Sequence, residues 1–385
     1  MTSLLPLGLY VHWPYCARIC PYCDFNVFKD PKAKERGGEE PDALAAAIVA
    51  DLEAQRALTG PRELASIFLG GGTPSLMDPD WAAAIIGAAR ALWTPAADLE
   101  ITLEANPTDA EAARFAAFAE AGVNRLSLGL QSLDDAALKF LGRNHDAATA
   151  VRAAKAAAKA FPRLSIDMIY ARPGQTPAAW AEELRAAVDL GAEHVSPYQL
   201  TIEAGTAFDR AVRRGLFTPP DGDTGADLFE TTQRVLEGAG FEAYEVSNHA
   251  RGAAARSRHN LIYWLGQDYV GVGPGAHGRI TLEGARHATY AAKRPADYIA
   301  RVAEAGFGLV ERETLSPREA AQERLLSGLR ITEGVARHEV VALDLPEARI
   351  AGLVALGLLV NDPDRLRATP AGRLVLDRLT MELVS

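Results

Sequence analysis

Along the first two thirds of the chain, short apolar runs alternate with longer Ala-rich stretches. The runs Leu7–Trp13, Ala65–Leu69, Glu100–Glu104, Arg125–Leu130, Ser165–Tyr170 and His194–Leu200 have the length and composition of strands. Between and after them, Asp42–Leu58, Pro79–Trp93, Asp109–Ala121, Ala147–Ala160, Ala178–Leu190 and Gly225–Ala239 predict helices. Asp78-Pro79, Thr108-Asp109 and Thr176-Pro177 put a capping oxygen before a proline or an acidic residue. Gly122, Gly191 and Gly240 stand where helices end. Such strand–helix repeats imply parallel strands with right-handed crossovers. The expected fold is α/β, a curved or partial barrel; an open doubly wound sheet fits the same periodicity.

The pattern changes near Phe241. Residues 1–240 read as the barrel core, 241–286 as an extension rich in Gly, His and aromatics, and 287–385 as a smaller module. In that module Pro295–Glu304, Pro317–Leu329, Pro346–Leu356 and Pro370–Leu383 predict helices. Asn361-Asp362-Pro363-Asp364 predicts a turn between two short apolar runs, so the module looks winged-helix-like. Asp30–Pro41 reads as an exposed loop.

Composition narrows the class. Of 385 residues 48% are hydrophobic, enough for a sizeable core and too many for a disordered chain. The net charge of −10 argues against a dedicated nucleic-acid binder. The longest wholly apolar run found, Ile350–Val360, is too short to span a membrane and contains Gly352 and Gly357. No basic residue precedes Arg18, so a signal-peptide pattern is missing and a cytoplasmic location is expected.

The three cysteines, Cys16, Cys20 and Cys23, fall in one segment just after the first predicted strand. Ligands bind at that end of parallel α/β folds. Three thiolates at CxxxCxxC spacing suit one soft metal centre, and on a four-iron cluster they leave one iron open. Zinc is the competing reading and needs a fourth ligand, for which His12 is near. Three unrelated thiols is the bland one.

With Tyr22 just before the last cysteine, this motif resembles the radical S-adenosylmethionine family. The likeness extends through Leu9–Cys16, Gly70-Gly71-Gly72-Thr73-Pro74, Glu104-Ala105-Asn106-Pro107, Arg125–Ser132, Ile166–Tyr170, Tyr244–Asn248 and His259–Trp264. Together these cover nearly the whole chain and resemble the heme-binding, heme-chaperone members of the coproporphyrinogen dehydrogenase-like branch. The resemblance implies a partial (β/α)6 radical S-adenosylmethionine barrel with a C-terminal helical domain. It implies a [4Fe-4S] cluster on Cys16, Cys20 and Cys23, with S-adenosylmethionine as the exogenous ligand. It places Tyr10, Tyr22, Gly71, Gly72, Thr73, Glu104, Gln131, Arg143 and Asp167 at the cofactor; Gly71, Gly72 and Thr73 would meet the methionyl part through backbone and hydroxyl groups.

From the residues alone, His259-Asn260-Leu261-Ile262-Tyr263-Trp264 is a core strand with a hydrogen-bonded histidine. The resemblance turns His259, Tyr263 and Trp264 into heme-binding candidates; Arg256 and Arg258, just before them, either pair with heme propionates or are solvated. His277, in Gly273-Pro274-Gly275-Ala276-His277-Gly278, either faces the ligand site or is a polar loop residue. That segment matches GxGxxG, but no helix follows it, which excludes a dinucleotide site.

Two positions depart from the wider family. Phe25 stands where coproporphyrinogen dehydrogenases have another cysteine, and Ala171-Arg172-Pro173 replaces Gly-Leu-Pro. The first weakens a decarboxylase reading; the second places a charge on the expected substrate side. The leading expectation is a heme chaperone passing heme to an acceptor hemoprotein. The alternative is anaerobic oxidative decarboxylation of coproporphyrinogen III. The resemblance also allows a homodimer.

Overall fold

The computed structural model describes residues 4–30 and 39–384. The predicted loop at Asp30–Pro41 lies mostly outside the described residues. Six parallel strands form the centre: β1 (Pro6–Trp13), β2 (Glu63–Gly71), β3 (Thr94–Ala105), β4 (Arg125–Gln131), β5 (Arg163–Tyr170) and β6 (His194–Gln199). Each overlaps a predicted run. They pair in sequence order, the arrangement of a partial (β/α)6 barrel rather than a doubly wound sheet, whose order reverses.

The connecting helices follow from local chemistry. Asp78 caps Pro79–Leu92, Asp146 caps Ala147–Ala160 and Thr176 caps Pro177–Val188, each side chain accepting a backbone N–H of the first turn. Alanines at helical spacing bury one face of Ala147–Ala160, which lets the helix lie close on the sheet. The predicted helix Asp109–Ala121 is two pieces, Asp109–Ala112 and Phe115–Glu120. Glu111 and Arg114 turn inward there: Glu111 accepts from the Asn106 N–H at 2.8 Å, and Arg114 donates to the Ser75 carbonyl at 2.8 Å.

The sheet does not stop with the barrel. Four further strands extend it beyond β1: β7 (Asp268–Val272), β8 (His277–Leu282), β9 (Ala285–Ala291) and β10 (Leu309–Thr314). β7 runs parallel to β1 and the others are antiparallel, completing a 12-stranded sheet with His249–Ala250 and Glu242–Ala243 at its far edge. A boundary at residue 287 therefore cuts through a strand; the sheet runs to Thr314.

The C-terminal module begins with the helix Pro317–Gly328, opened by a capping box of Ser316 and Glu319. It has its own core of Leu325, Leu329, Val335, Val340, Leu353, Leu366, Leu379 and Leu383. Val335–Ala336 pairs with Arg365–Leu366, and Leu359 bridges Ala368, giving the expected turn-linked strands among helices. The predicted last helix is Pro370–Leu374 and Leu376–Val384. Among the described residues, no helix is long and apolar enough to cross a membrane.

Candidate cofactor site and adjoining cleft

The parallel strands end on one side, and their C-terminal residues surround a pocket of about 540 Å3. Cys16, Cys20 and Cys23 stand on one wall, and Gly71, Gly72, Glu104, Gln131 and Asp167 on the others. Cys16 belongs to a short strand pair, Tyr15–Cys16 with Phe28–Lys29, that pins the cysteine loop. Burial pushes the Cys16 thiol up to about 11, although the Thr73 hydroxyl donates to its sulfur at 3.6 Å. Burial likewise raises the Cys23 thiol. Arg143 reaches in from across the pocket and donates to Cys20 Sγ at 3.2 Å and to the Gly129 carbonyl at 3.2 Å. It also binds the Asn106 side chain.

Three thiols on one loop are the donor set that a four-iron cluster with one open iron uses. Among the described residues no three His, Cys, Asp or Glu side chains converge on one ion position. His12, the nearest fourth ligand for zinc, is turned away: its ring meets the Tyr10 hydroxyl at 2.9 Å and the Asn26 carbonyl at 2.9 Å. A four-iron cluster takes each thiolate on its own iron.

The pocket also has groups waiting for a polar ligand. Gln131 Oε1 and Arg143 Nε are buried without a partner among the described residues. Gln131 ends β4 at φ 65°, a left-handed conformation rare for a side-chain-bearing residue and typical of functional sites. Glu104 accepts the Gly71 N–H at 3.2 Å. Burial, and then the neighbouring Asp167 carboxylate, push Glu104 up to about 8. Burial raises Asp167 too, against hydroxyls of Ser127 at 2.9 Å and Ser165 at 3.3 Å. Two carboxyl groups held this way match an amino group; the unpaired amide oxygen of Gln131 matches a hydroxyl or N–H donor, and the unpaired Arg143 N–H a carboxylate or hydroxyl oxygen. The donors present fit a cluster-bound amino acid such as S-adenosylmethionine.

The glycine run lines the pocket differently from expectation. The N–H groups of Gly72 and Thr73 donate to the carbonyls of Trp13 and Tyr15 at 2.7 and 2.9 Å. The Thr73 hydroxyl is engaged by Cys16 and by Asn106 at 3.1 Å. What the run offers is a wall without side chains. A Cβ at Gly72 would lie 2.8 Å from the Pro14 carbonyl, so only glycine lets the strands meet this closely.

Beside this pocket lies a larger cleft of about 1430 Å3. Asp24, Phe25, Gly71 and Glu104 border both spaces. Tyr10 faces the cleft rather than the cysteines, with its ring against Phe68 and its hydroxyl on His12. Tyr263, Trp264 and His277 line the cleft together with residues of the C-terminal module.

His259 does not line it. The segment is a helix, Arg258–Trp264, capped by Ser257, not a strand. His259 is fully buried, stacked on Phe68 at 4.9 Å, with Nδ1 bonded to Ser66 at 2.8 Å and Nε2 to Tyr263 at 2.6 Å. Burial pushes it down to about 3, so the ring is neutral. Arg256 pairs with Glu333 at 2.9 Å, and Arg258 with Asp98, so neither is held in reserve for a propionate. Arg172 is buried in an ion pair with Glu183 and does not line either space. Sequence reasoning passed over Asn106, Arg125, Ser127 and Tyr198, which also line the cofactor pocket. Tyr198 near its strand's end and Asn106 inside Glu104–Pro107 carried a signal; Arg125 and Ser127, at the start and in the body of β4, carried none.

A cysteine loop above six parallel strands, with polar strand ends turned to it, defines a radical S-adenosylmethionine barrel. The radical SAM superfamily matches residues 10–187 and the HemN C-terminal domain residues 315–375. The chain is 36% identical to the Escherichia coli heme chaperone HemW, covering 98% of both chains. It is also 36% identical to the Mycobacterium tuberculosis heme chaperone HemW, over 98% of this chain and 95% of that one. A bovine radical S-adenosyl methionine domain-containing protein 1, described as mitochondrial, is 41% identical over 98% of this chain and 87% of its own. The chain belongs to the HemW family within the radical SAM superfamily. The fold agrees with coproporphyrinogen III oxidase (HemN) from Escherichia coli at TM-score 0.81 and 21% identity, over 99% of this chain and 91% of that structure.

Proposed function

We propose that this protein is a heme chaperone that carries a [4Fe-4S] cluster with S-adenosylmethionine beside it, binds heme, and passes it to an acceptor hemoprotein. The observation that carries the proposal is the pairing of a small polar cofactor pocket with a larger aromatic cleft across the shared border of Asp24, Phe25, Gly71 and Glu104. The names of the HemW relatives support the heme half.

Cys16, Cys20 and Cys23 would hold the cluster, which supplies a low-potential electron when reduced. Thr73 and Arg143 place hydrogen-bond donors on two of the sulfurs. Glu104 and Asp167 would meet the methionyl amine, and Gln131 and Arg143 the remaining polar groups. Tyr22, beside Cys20 and Arg143, walls the pocket. Tyr263 and Trp264 present ring surface to a flat porphyrin. Three thiols reserved for a metal centre suit a reducing compartment such as the cytoplasm.

Phe25 favours a chaperone over a decarboxylase. It is 64% exposed and stands between the two spaces, where the family's decarboxylases carry another cysteine. The test is an anaerobic heme titration of cluster-reconstituted protein followed by Soret absorbance, then addition of an apo-hemoprotein. Saturable one-to-one binding and transfer are expected. Absence of binding, with protoporphyrinogen formed from coproporphyrinogen, overturns the proposal.

A further inference from the structure

An axial ligand to heme iron needs a nitrogen lone pair that is free and faces open space. Three histidines line the cleft: His12, His277 and His338. His12 is buried with both ring nitrogens engaged, as is His259 behind the wall. His277 differs. It is exposed, and among the described residues its ring contacts the Tyr290 ring but its nitrogens have no hydrogen-bond partner.

We propose that His277, on β8, is the side chain that ligates heme iron in the cleft. The inference rests on the chaperone reading above and names its binding residue.

Placement supports it over His338. Tyr290 meets the His277 ring edge-on at 4.8 Å and 76°, which fixes the plane of the imidazole while leaving its nitrogens open. The backbone beneath is rigid, because His277 opposes Tyr290 in the β8–β9 ladder. The preceding turn is clamped as well. Asn26 donates to the carbonyls of Pro274 and Lys293 at 2.9 and 2.8 Å, and the Gly275 N–H donates to Ala292 at 2.8 Å. His338 stands instead on a short 3-10 segment of the C-terminal module, Arg337–Leu343. Ligands are held more accurately by a sheet than by such a segment.

The surroundings match a porphyrin with acidic tails. Tyr263, Trp264 and Tyr269 share the cleft with His277. Its arginines are committed: Arg279 to Glu323, Arg286 to Asp268 and Arg324 to Glu339. Lys293 is exposed at the same rim, has no ion pair among the described residues, and is the cation left for a propionate.

The test uses the full chain with its cluster reconstituted, as wild type, His277→Ala, His338→Ala and His259→Ala, each titrated anaerobically with heme. Absorbance and resonance Raman spectra report the iron ligand, and circular dichroism and iron content report folding. His277→Ala should lose the wild-type Soret position and release heme faster by roughly tenfold or more. Free imidazole should restore its spectrum. His338→Ala should keep the wild-type ligand signature. His259→Ala should keep it too, with affinity lowered by the loosened wall. A wild-type spectrum and affinity in His277→Ala, with heme bound normally by the wild type, overturns this inference alone. Loss of the signature in His259→Ala or His338→Ala but not His277→Ala also overturns it. A wild type that binds no heme overturns the chaperone reading and this inference together.

Discussion

Arg143 brings a positive charge that works against the upward push burial gives the Cys16 and Cys23 thiols. It lies 123 residues further along the chain, yet touches Cys20 Sγ at 3.2 Å. Replacing it with leucine removes the charge and leaves the thiols with burial alone. Arg143→Leu should therefore lower iron and sulfide per chain after reconstitution severalfold, measured by metal and sulfide analysis at equal folded fraction. The raised Cys16 thiol adds a pH dependence. Cluster assembly must displace its proton, so the rate and extent of loading should rise between pH 7 and 9. A flat profile would count against this account.

Glu104 gives a second residue-scale prediction. Its folded value of about 8 lies above the usual carboxyl value of 4.5, so the folded protein holds an extra proton in that interval. Its contribution to stability is present below pH 4.5 and is lost as pH rises toward 8. Glu104→Gln removes this loss. Without cofactors, the variant should be more stable than wild type near pH 8 by ~1–3 kcal/mol and closer to it near pH 5, in denaturant titrations. It should bind S-adenosylmethionine more weakly, which calorimetry checks.

At the scale of elements, the six strand–helix repeats were legible because each strand is a short apolar run and most helices announce their caps. The antiparallel extension was not. β10 buries Leu309 and leaves the other five residues exposed, so its edge position produces no apolar pattern. His259–Trp264 carries the β-branched and aromatic content of a strand, but the Ser257 hydroxyl accepts the Asn260 N–H at 3.3 Å and starts a helix. The cysteines and polar strand ends could be found from their place after strands. Which histidine faces the cleft could not, because that depends on partners such as Ser66, 193 positions away. The glycine run joins β2 to the cysteine strand with no room for a methyl group. Gly72→Ala should cost ~1–3 kcal/mol in thermal or chemical unfolding and weaken cofactor binding, since the pocket wall must move.

At the scale of the whole molecule, the C-terminal module is held by charged contacts as well as by packing. Glu245 is fully buried between the Asn248 side chain and Arg330, which donates to it at 2.7 Å; Arg324 crosses to the Trp264 carbonyl at 3.0 Å. Removing Arg330 leaves the buried carboxylate partly unpaid. Arg330→Met should destabilise by ~1–3 kcal/mol, discounted because the guanidinium is 32% exposed. Because the module forms one wall of the cleft, heme affinity should fall while iron content stays unchanged. Limited proteolysis near residue 315 should quicken. An unchanged digestion rate would show that packing alone holds the module.

The cysteine segment is tied down at both ends by bonds that use no sulfur. Phe28 and Asp30 donate to the carbonyls of Pro14 and Cys16 at 2.8 and 2.9 Å, and Asn26 grips Pro274 and Lys293. These bonds would hold the socket's backbone whether or not a cluster sits in it. On the proposed function, a centre that loses iron to oxidation would then be rebuilt in place without a new round of folding.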